Sequence, residues 1–184
     1  MCGIIAIVSF KNHRHNLSKL DEMASMIRHR GPDDEGYALF DDKSNSYKVF
    51  SGNDTPQNVI GSKLRFAPKV KYQYPSEDFT IGLAHRRLSI IDLSDAGHQP
   101  MSDETGRFWI SYNGEVYNFK EIRKELKKQG YHFIGNSDTE VIIKAYMAWG
   151  KECQNRFNGM WAFTIWDNLE KELWISRDRM GVKP

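Results

Sequence analysis

Met1-Cys2-Gly3-Ile4-Ile5-Ala6-Ile7-Val8-Ser9-Phe10 opens the chain with a cysteine beside the initiator position and a nearly continuous apolar run behind it. A short run of that kind reads as a strand over residues 3–10, buried on both faces. Cys2 would then sit at the buried end of a rigid element. Removal of Met1 would place a thiol and a free α-amine on one residue. The amine has a reference pKa of roughly 7.7–8.0 and the thiol about 8.5, so near neutral pH the amine takes the thiol proton at little cost. Such a residue carries its own general base, and cysteine suits the part because a few per cent of thiolate is already a strong nucleophile. A cysteine in second place is equally an accident of the start codon ahead of an ordinary strand. These residues alone favour that plainer reading.

The rest of the composition narrows the class. A chain of 184 residues fits one domain and buries roughly 70% of its unfolded surface, so a substantial core needs no staple. Its 26 basic and 24 acidic residues leave a net charge of +2 and form no block of one sign. Neither nucleic acid nor a membrane is therefore an expected partner. No signal-like start and no run of about 18 apolar residues is present, and a cytoplasmic location is expected. Cys2 and Cys153 have no metal-ligand spacing and no disulfide framework around them. No metal site is expected, and Cys153 reads as a core residue.

Further along, Leu17, Leu20, Met23, Ala24 and Ile27 recur at helical spacing, which predicts an amphipathic helix over 16–27 with Asn16 as N-cap. Arg28-His29-Arg30-Gly31-Pro32-Asp33 breaks it, and this charged turn is either a solvated loop or the lining of a site. From Asp41 to Asp78 the chain turns polar and irregular, which reads as a surface insertion carrying one or two short strands, Tyr47 to Phe50 the best of them. Thr80 to Ile91 regains strand composition yet holds His85, Arg86 and Arg87. Buried charge needs a partner, so at least one of these arginines should face a ligand, a carboxylate or a cleft.

Phe108 to Tyr112 is another strand, ending in Asn113-Gly114. Asn-Gly is the strongest short hairpin signal, yet only Glu115, Val116 and Tyr117 follow before a helix, too few for a return strand. That helix has Asn118 as N-cap, Glu121 as its capping-box partner, Ile122 and Leu126 inside, and Gly130 as its stop. Ser137-Asp138-Thr139-Glu140 starts a second, strongly apolar helix through Trp149, where an acid in the first turn is stabilising without any ligand. Residues 159–167 and 172–176 read as strands joined by a turn. Strand, helix, several strands, two helices and strands again argue for antiparallel sheet with helices packed outside it.

Met1-Cys2-Gly3-Ile4, Arg28-His29-Arg30-Gly31-Pro32-Asp33, Ala84-His85-Arg86-Arg87-Leu88-Ser89-Ile90-Ile91-Asp92, Tyr112-Asn113-Gly114-Glu115-Val116-Tyr117-Asn118 and Ser137-Asp138-Thr139-Glu140 occur in this order. Together with Gly159-Met160-Trp161-Ala162-Phe163 and Arg177-Asp178-Arg179-Met180-Gly181-Val182-Lys183-Pro184, they make a chain that resembles the glutaminase half of glutamine-hydrolysing asparagine synthetases. These are class II amidotransferases with an N-terminal nucleophile. The resemblance runs nearly end to end, interrupted mainly at 41–78.

That resemblance implies an α+β fold, a four-layer αββα N-terminal-nucleophile hydrolase sandwich of two antiparallel sheets. It implies hydrolysis of glutamine to glutamate and ammonia. Cys2 matches the nucleophile that forms a thioester, with its own α-amine as base. Asn113 and Gly114 match the oxyanion hole, one giving a side-chain N–H and the other a backbone N–H. Arg87 matches the clamp on the glutamine α-carboxylate, where a planar fork of donors binds in a way lysine cannot copy. Leu88 and Ile90 lie in the same holding loop through their backbones, Asp138 matches the partner of the substrate ammonium, and Glu115 lies beside it. His85 and Arg86 are read as structural, pairing near the clamp or facing solvent.

The whole of 1–184 is thus expected to be one glutaminase domain. Lys183-Pro184 falls where the family continues through a further hairpin into an ATP-using synthetase domain, so one sheet is expected short of its last strands. Glutamine and a synthetase domain, in cis or in trans, are the implied partners. ATP and Mg are expected only in that missing domain, and no cofactor in this chain. Aspartate is the implied ammonia acceptor. The long polar insertion points to a subgroup in which another carboxylate, such as a sugar acid, is the alternative, and a non-catalytic docking module is a further one. A sister amidotransferase making an amino sugar or nucleotide precursor ranks low, because residues 84–92 do not match its Thr-Arg-Trp-Ala-Thr-His-Gly type segment.

Overall fold

Ile81, Leu83 and His85 leave their strand on one side, Gly82, Ala84 and Arg86 on the other, and the two sets meet different layers of the protein. The computed structural model describes residues 1–9, 14–73 and 79–184. Among these, β1 (Gly3–Val8), β2 (Asp34–Phe40), β3 (Tyr47–Ser51), β4 (Val70–Lys71) and β5 (Ile81–Arg87) form one sheet in the order β1-β5-β2-β3-β4. A second sheet, β6-β7-β8-β9, is built from β6 (Met101–Ser102), β7 (Phe108–Val116), β8 (Gly159–Asp167) and β9 (Glu172–Arg177). The pairings are antiparallel except for the short parallel contact of β3 with β4. That one pair departs from the all-antiparallel expectation.

The sheets face each other. Ala38, Phe40, Ile81 and Leu83 meet Trp109 and Trp166 between them, with Phe40 and Trp109 edge to face at 5.3 Å. Side chains also bond across this gap: Ser111 Oγ donates to the Ala84 carbonyl at 3.2 Å. On the outer face of the first sheet, α1 (Leu20–Met26) lays Leu20 and Ala24 onto Ile5, Leu39 and Ala84. A Cβ at Gly82 would come within 2.6 Å of Leu17, so glycine there lets the segment leading into α1 close on the sheet. On the far side, α3 (Phe119–Lys128) and α4 (Asp138–Trp149) cover the second sheet, where Tyr146 stacks on Trp174 at 5.2 Å. Helix, sheet, sheet, helix is the four-layer α+β arrangement. Each fully buried Leu, Ile or Phe in it contributes roughly 1.5–3 kcal/mol.

Several elements differ from their sequence reading. β1 is an edge strand, with Gly3 and Ile5 buried and Val8 exposed, not a strand buried on both faces; Phe10 lies outside the described residues. α1 starts at Leu20 after a 3-10 stretch, Arg14–Lys19, and Lys19 stands at its N-cap with its side chain on Glu22 and not on a capping N–H. β5 ends at Arg87, so 88–91 belong to a loop. β7 runs straight through Asn113-Gly114 to Val116, and no hairpin forms there because β8 pairs along its whole length. Asn118 does not cap α3 with its side chain; it bridges to the Arg156 carbonyl and the Asn158 N–H.

The polar stretch after Asp41 is woven into the first sheet. β3 pairs with β2 over Phe40 to Gly36, and Phe50, Val59, Phe66 and Ala67 are buried. Its turn docks on charge: Asp54 takes Arg28 at 2.7 Å and Arg86 at 2.6 Å, while Glu35 takes Arg86 at 3.0 Å. Arg86 is 1% exposed and so does not face solvent. Removing one partner from a buried cluster of this kind strands the other charge, at about 3–5 kcal/mol. α2 (Gln57–Ile60) follows that turn. Among the described residues no helix is long and apolar enough to cross a membrane.

Candidate active site

The open end of the gap between the sheets is where the candidates gather. Gly3 pairs with Arg86, so Cys2 lies beside Arg87 at the end of β5, and Asn113 shares its face of β7 with Ser111, which points at β5. A cavity of about 230 Å³ there is lined by Cys2, Arg87, Leu88, Ile90, Asn113, Gly114, Glu115 and Asp138 together. It is smaller than the roughly 300–1,000 Å³ typical of drug-sized sites, as suits an amino-acid-sized ligand.

Each group is held. The Cys2 sulfur lies 3.4 Å from the Leu88 N–H and 3.7 Å from the Leu88 carbonyl, and Arg30 Nε donates to the Cys2 carbonyl at 3.1 Å. Asp33 accepts from the Ser89 N–H at 2.8 Å. The charged turn at 28–33 therefore braces the site from behind and is absent from the cavity lining. Arg87 donates to the Asp92 carbonyl, and the Asp92 carboxylate takes the Ser94 N–H at 2.9 Å and the Asn136 N–H at 2.7 Å. Gly97 closes on the same guanidinium, for a Cβ at this position would overlap it. Asp138 Oδ2 accepts from the Tyr112 hydroxyl at 2.7 Å and the Val116 N–H at 3.0 Å. Glu115 and Ile90 are exposed, Ile90 at the mouth.

The profile described as "Glutamine amidotransferase domain" matches residues 71–184. The chain belongs to this family. Two asparagine synthetases [glutamine-hydrolyzing] of Bacillus subtilis, numbers 1 and 3, are 33% and 32% identical over the whole of this chain, which spans 23% and 24% of their lengths. A Gibberella zeae protein named "Amidase chry2" is 30% identical, again over the whole chain and 23% of its own length. The amidotransferase domain thus spans about a quarter of the curated relatives it matches. Among solved structures, the glutamine phosphoribosylpyrophosphate amidotransferase of B. subtilis superposes with a TM-score of 0.68 at 18% identity, over the whole chain and 38% of the other. That likeness shows the fold, two facing sheets between outer layers of helix.

Electrostatics in this amidotransferase domain set the resting state. Burial pushes the Cys2 thiol up, while the Leu88 N–H, the N-terminal ammonium and Arg87 pull it down and Asp138 adds to the rise. Near neutral pH the sulfur is therefore a protonated thiol. Burial also raises the Asp138 carboxyl, with Tyr112 and the Val116 N–H opposing. His85 is driven down to about 3 by burial and is neutral; its Nε2 donates to the Tyr112 carbonyl at 2.9 Å and its Nδ1 has no hydrogen-bond partner among the described residues. Cys153 is buried in the core, its thiol pushed up to about 12 by desolvation. Among the described residues no three His, Cys, Asp or Glu side chains converge as a metal set would.

The domain's cavity also holds residues the sequence reading did not single out: Gly97, Gln99, Tyr112, Thr139 and Lys183. Gln99 accepts from the Tyr112 N–H at 2.8 Å and donates to Thr139 at 3.3 Å, tying β7 to the start of α4. Nothing local marks Gln99, whose partners are distant in sequence. Lys183 is presented by a loop folded around Asp178, which accepts from the Val182 N–H at 2.9 Å and the Lys183 N–H at 3.0 Å. Its ammonium meets the Met1 sulfur at 3.2 Å. Tyr112, Thr139 and Lys183 carried a signal only as members of the quoted motifs, each without a role of its own.

Proposed function

We propose that this domain hydrolyses glutamine to glutamate and ammonia through a Cys2 thioester and supplies the ammonia to an ATP-dependent synthetase domain, in cis or in trans. The observation that carries the reading is the convergence of Cys2, Arg87, Asn113-Gly114 and Asp138, from separate stretches of sequence, on one cavity of amino-acid size. Met1 is 57% exposed and open to removal. Its loss frees the Cys2 α-amine, which takes the thiol proton as sulfur attacks the carboxamide carbon. Arg87 holds the α-carboxylate and Asp138 the α-ammonium. Asn113 and Gly114 donate to the oxyanion, and the amine returns its proton to the leaving nitrogen, releasing ammonia. Water then opens the thioester through the same oxyanion site.

Within this reading the acceptor is aspartate, converted to asparagine, with ATP and Mg confined to the synthetase domain and no cofactor in this one. The location is the cytoplasm. Another carboxylate, such as a sugar acid, is the alternative acceptor for the same ammonia supply. The test is direct. Cys2→Ala should abolish glutamine hydrolysis, and a glutamine-like electrophile should label Cys2 stoichiometrically in protein whose mass shows Met1 removed. A Cys2→Ala protein that still hydrolyses glutamine ends the proposal.

A further inference from the structure

A second cavity, of about 250 Å³, opens between α4, β6 and the segment 132–135, outside the glutamine site. Its floor is apolar, with Phe66, Met101 and Ile143 all buried. Its mouth is formed by Glu104, His132 and the exposed Ile134. The charged groups within it are not equivalent. Asp103 is consumed by the chain around it, accepting from the N–H groups of Thr105 at 3.0 Å and Phe108 at 2.9 Å. Glu140 is consumed likewise, by the N–H groups of Ile134 at 2.7 Å and Gly135 at 2.9 Å. Lys144 differs. It is 3% exposed, and its ammonium pairs with Glu104, whose side chain is 57% exposed.

We infer that this cavity is a binding site for a small carboxylate carried on a branched or aromatic apolar body. An ammonium has three donors, and a buried one requires a charged partner. Glu104 meets that need from the solvent side. The Glu104 side chain is 57% exposed and regains its water when it swings away, so the cost of the exchange falls on buried Lys144, which an incoming carboxylate pairs again. A ligand carboxylate that replaced Glu104 would keep Lys144 paired, while its apolar body covered the Phe66, Met101 and Ile143 floor. Charge-assisted hydrogen bonds in such a sheltered place are stronger than at the surface. Lys144 is thus the one charged group of the cavity able to exchange its partner for a ligand.

The site shares a wall with the glutamine cavity. Gly135 closes on Ala96 and the Asp92 carboxylate, where a Cβ would come within 2.9 Å of each, and the Asp92 carbonyl holds Arg87. Asp103 and Glu140 are engaged by backbone N–H groups and are not offered to an α-ammonium, and the apolar floor sets the ligand's shape apart from glutamine.

The experiment uses 4-methylpentanoate as probe and 4-methylpentanamide as its uncharged isostere, titrated by calorimetry and followed by the methyl signals of Met101 and Ile143. Wild-type protein should bind the acid saturably and the amide not at all. Glu104→Gln, which removes the resident carboxylate from an exposed position, should tighten acid binding several-fold, and Lys144→Met should abolish it. A purely structural ion pair predicts no ligand in either protein. Absence of saturable binding to the Glu104→Gln protein overturns the inference, as does acid binding that is equal in wild type and Lys144→Met.

Discussion

Tyr112 has its three polar groups held by three separate segments: its N–H by Gln99 in the loop before β6, its carbonyl by His85 on β5 and its hydroxyl by Asp138 on α4. The hydroxyl occupies Asp138 Oδ2 together with the Val116 N–H, which aims the carboxylate. Burial raises the Asp138 carboxyl and Tyr112 opposes the rise, so loss of the phenol raises it further. Under the proposed function Asp138 pairs with the substrate ammonium only while ionised, so the KM for glutamine should climb as pH falls through its raised pKa. Tyr112→Phe should raise KM about tenfold, the worth of one charge-assisted bond, with kcat little changed. Its acid limb should also move to higher pH. Steady-state kinetics across pH check this, and an unmoved limb with unchanged KM refutes it. Gly97→Ala acts on the other end of the substrate. The new Cβ claims the space of the Arg87 guanidinium and crowds the Asp92 carbonyl. KM should rise about ten- to a hundredfold, as for a lost hydrogen-bonded charge, while the melting temperature barely moves.

At the scale of elements, β7 shows what a local signal can and cannot tell. Asn113-Gly114 has the strongest hairpin preference in the chain, yet the strand continues because β8, far along the sequence, pairs with every residue from Phe108 to Val116. Glycine is required there for another reason. A Cβ at Gly114 would overlap the Met160 carbonyl oxygen and come within 2.8 Å of the Trp161 Cα. Gly114→Ala must push β7 and β8 apart, at about 1–3 kcal/mol for an overpacked interior. The melting temperature should fall by several degrees in thermal denaturation, and an unshifted midpoint would show that the strands yield freely. Elements whose evidence is local were legible: α4 from its Ser137 cap, which accepts from the Glu140 N–H at 3.3 Å, and β8 and β9 from their apolar alternation around a short turn. β3 was legible as a strand, but its place in the sheet was not, because that depends on β2 and on the Asp54–Arg86–Glu35 cluster. The candidate site was legible as motifs, whose residues the fold brings to one cavity, because side chains with special chemistry stand out. Gln99 and Gly97 did not, since only folding brings them to Tyr112 and Arg87.

Across the whole molecule, His85 joins the two sheets from a place that admits no charge. Its ring spans from β5 to the Tyr112 carbonyl, Arg87 stands two residues along the same strand, and burial lowers its pKa to about 3. In the unfolded chain the same imidazole titrates near 6.5. Between these values the unfolded state binds one proton more than the folded state, so stability falls as pH falls, by about 1.4 kcal/mol for each pH unit. The loss starts well above the range in which carboxylates titrate. Asp34 adds its own loss only at lower pH: burial would raise its carboxyl, but His98 and the Glu35 N–H outweigh that and hold it below the usual range. His85→Gln keeps a neutral N–H donor for the Tyr112 carbonyl and removes the proton site. Denaturant unfolding of both proteins at about pH 6.5 and about pH 4.5 should show the wild type losing stability in steps that the variant does not share. Parallel loss in the two proteins would mean that the imidazole finds a partner for its second nitrogen on protonation, and that the gap between the sheets opens to admit it.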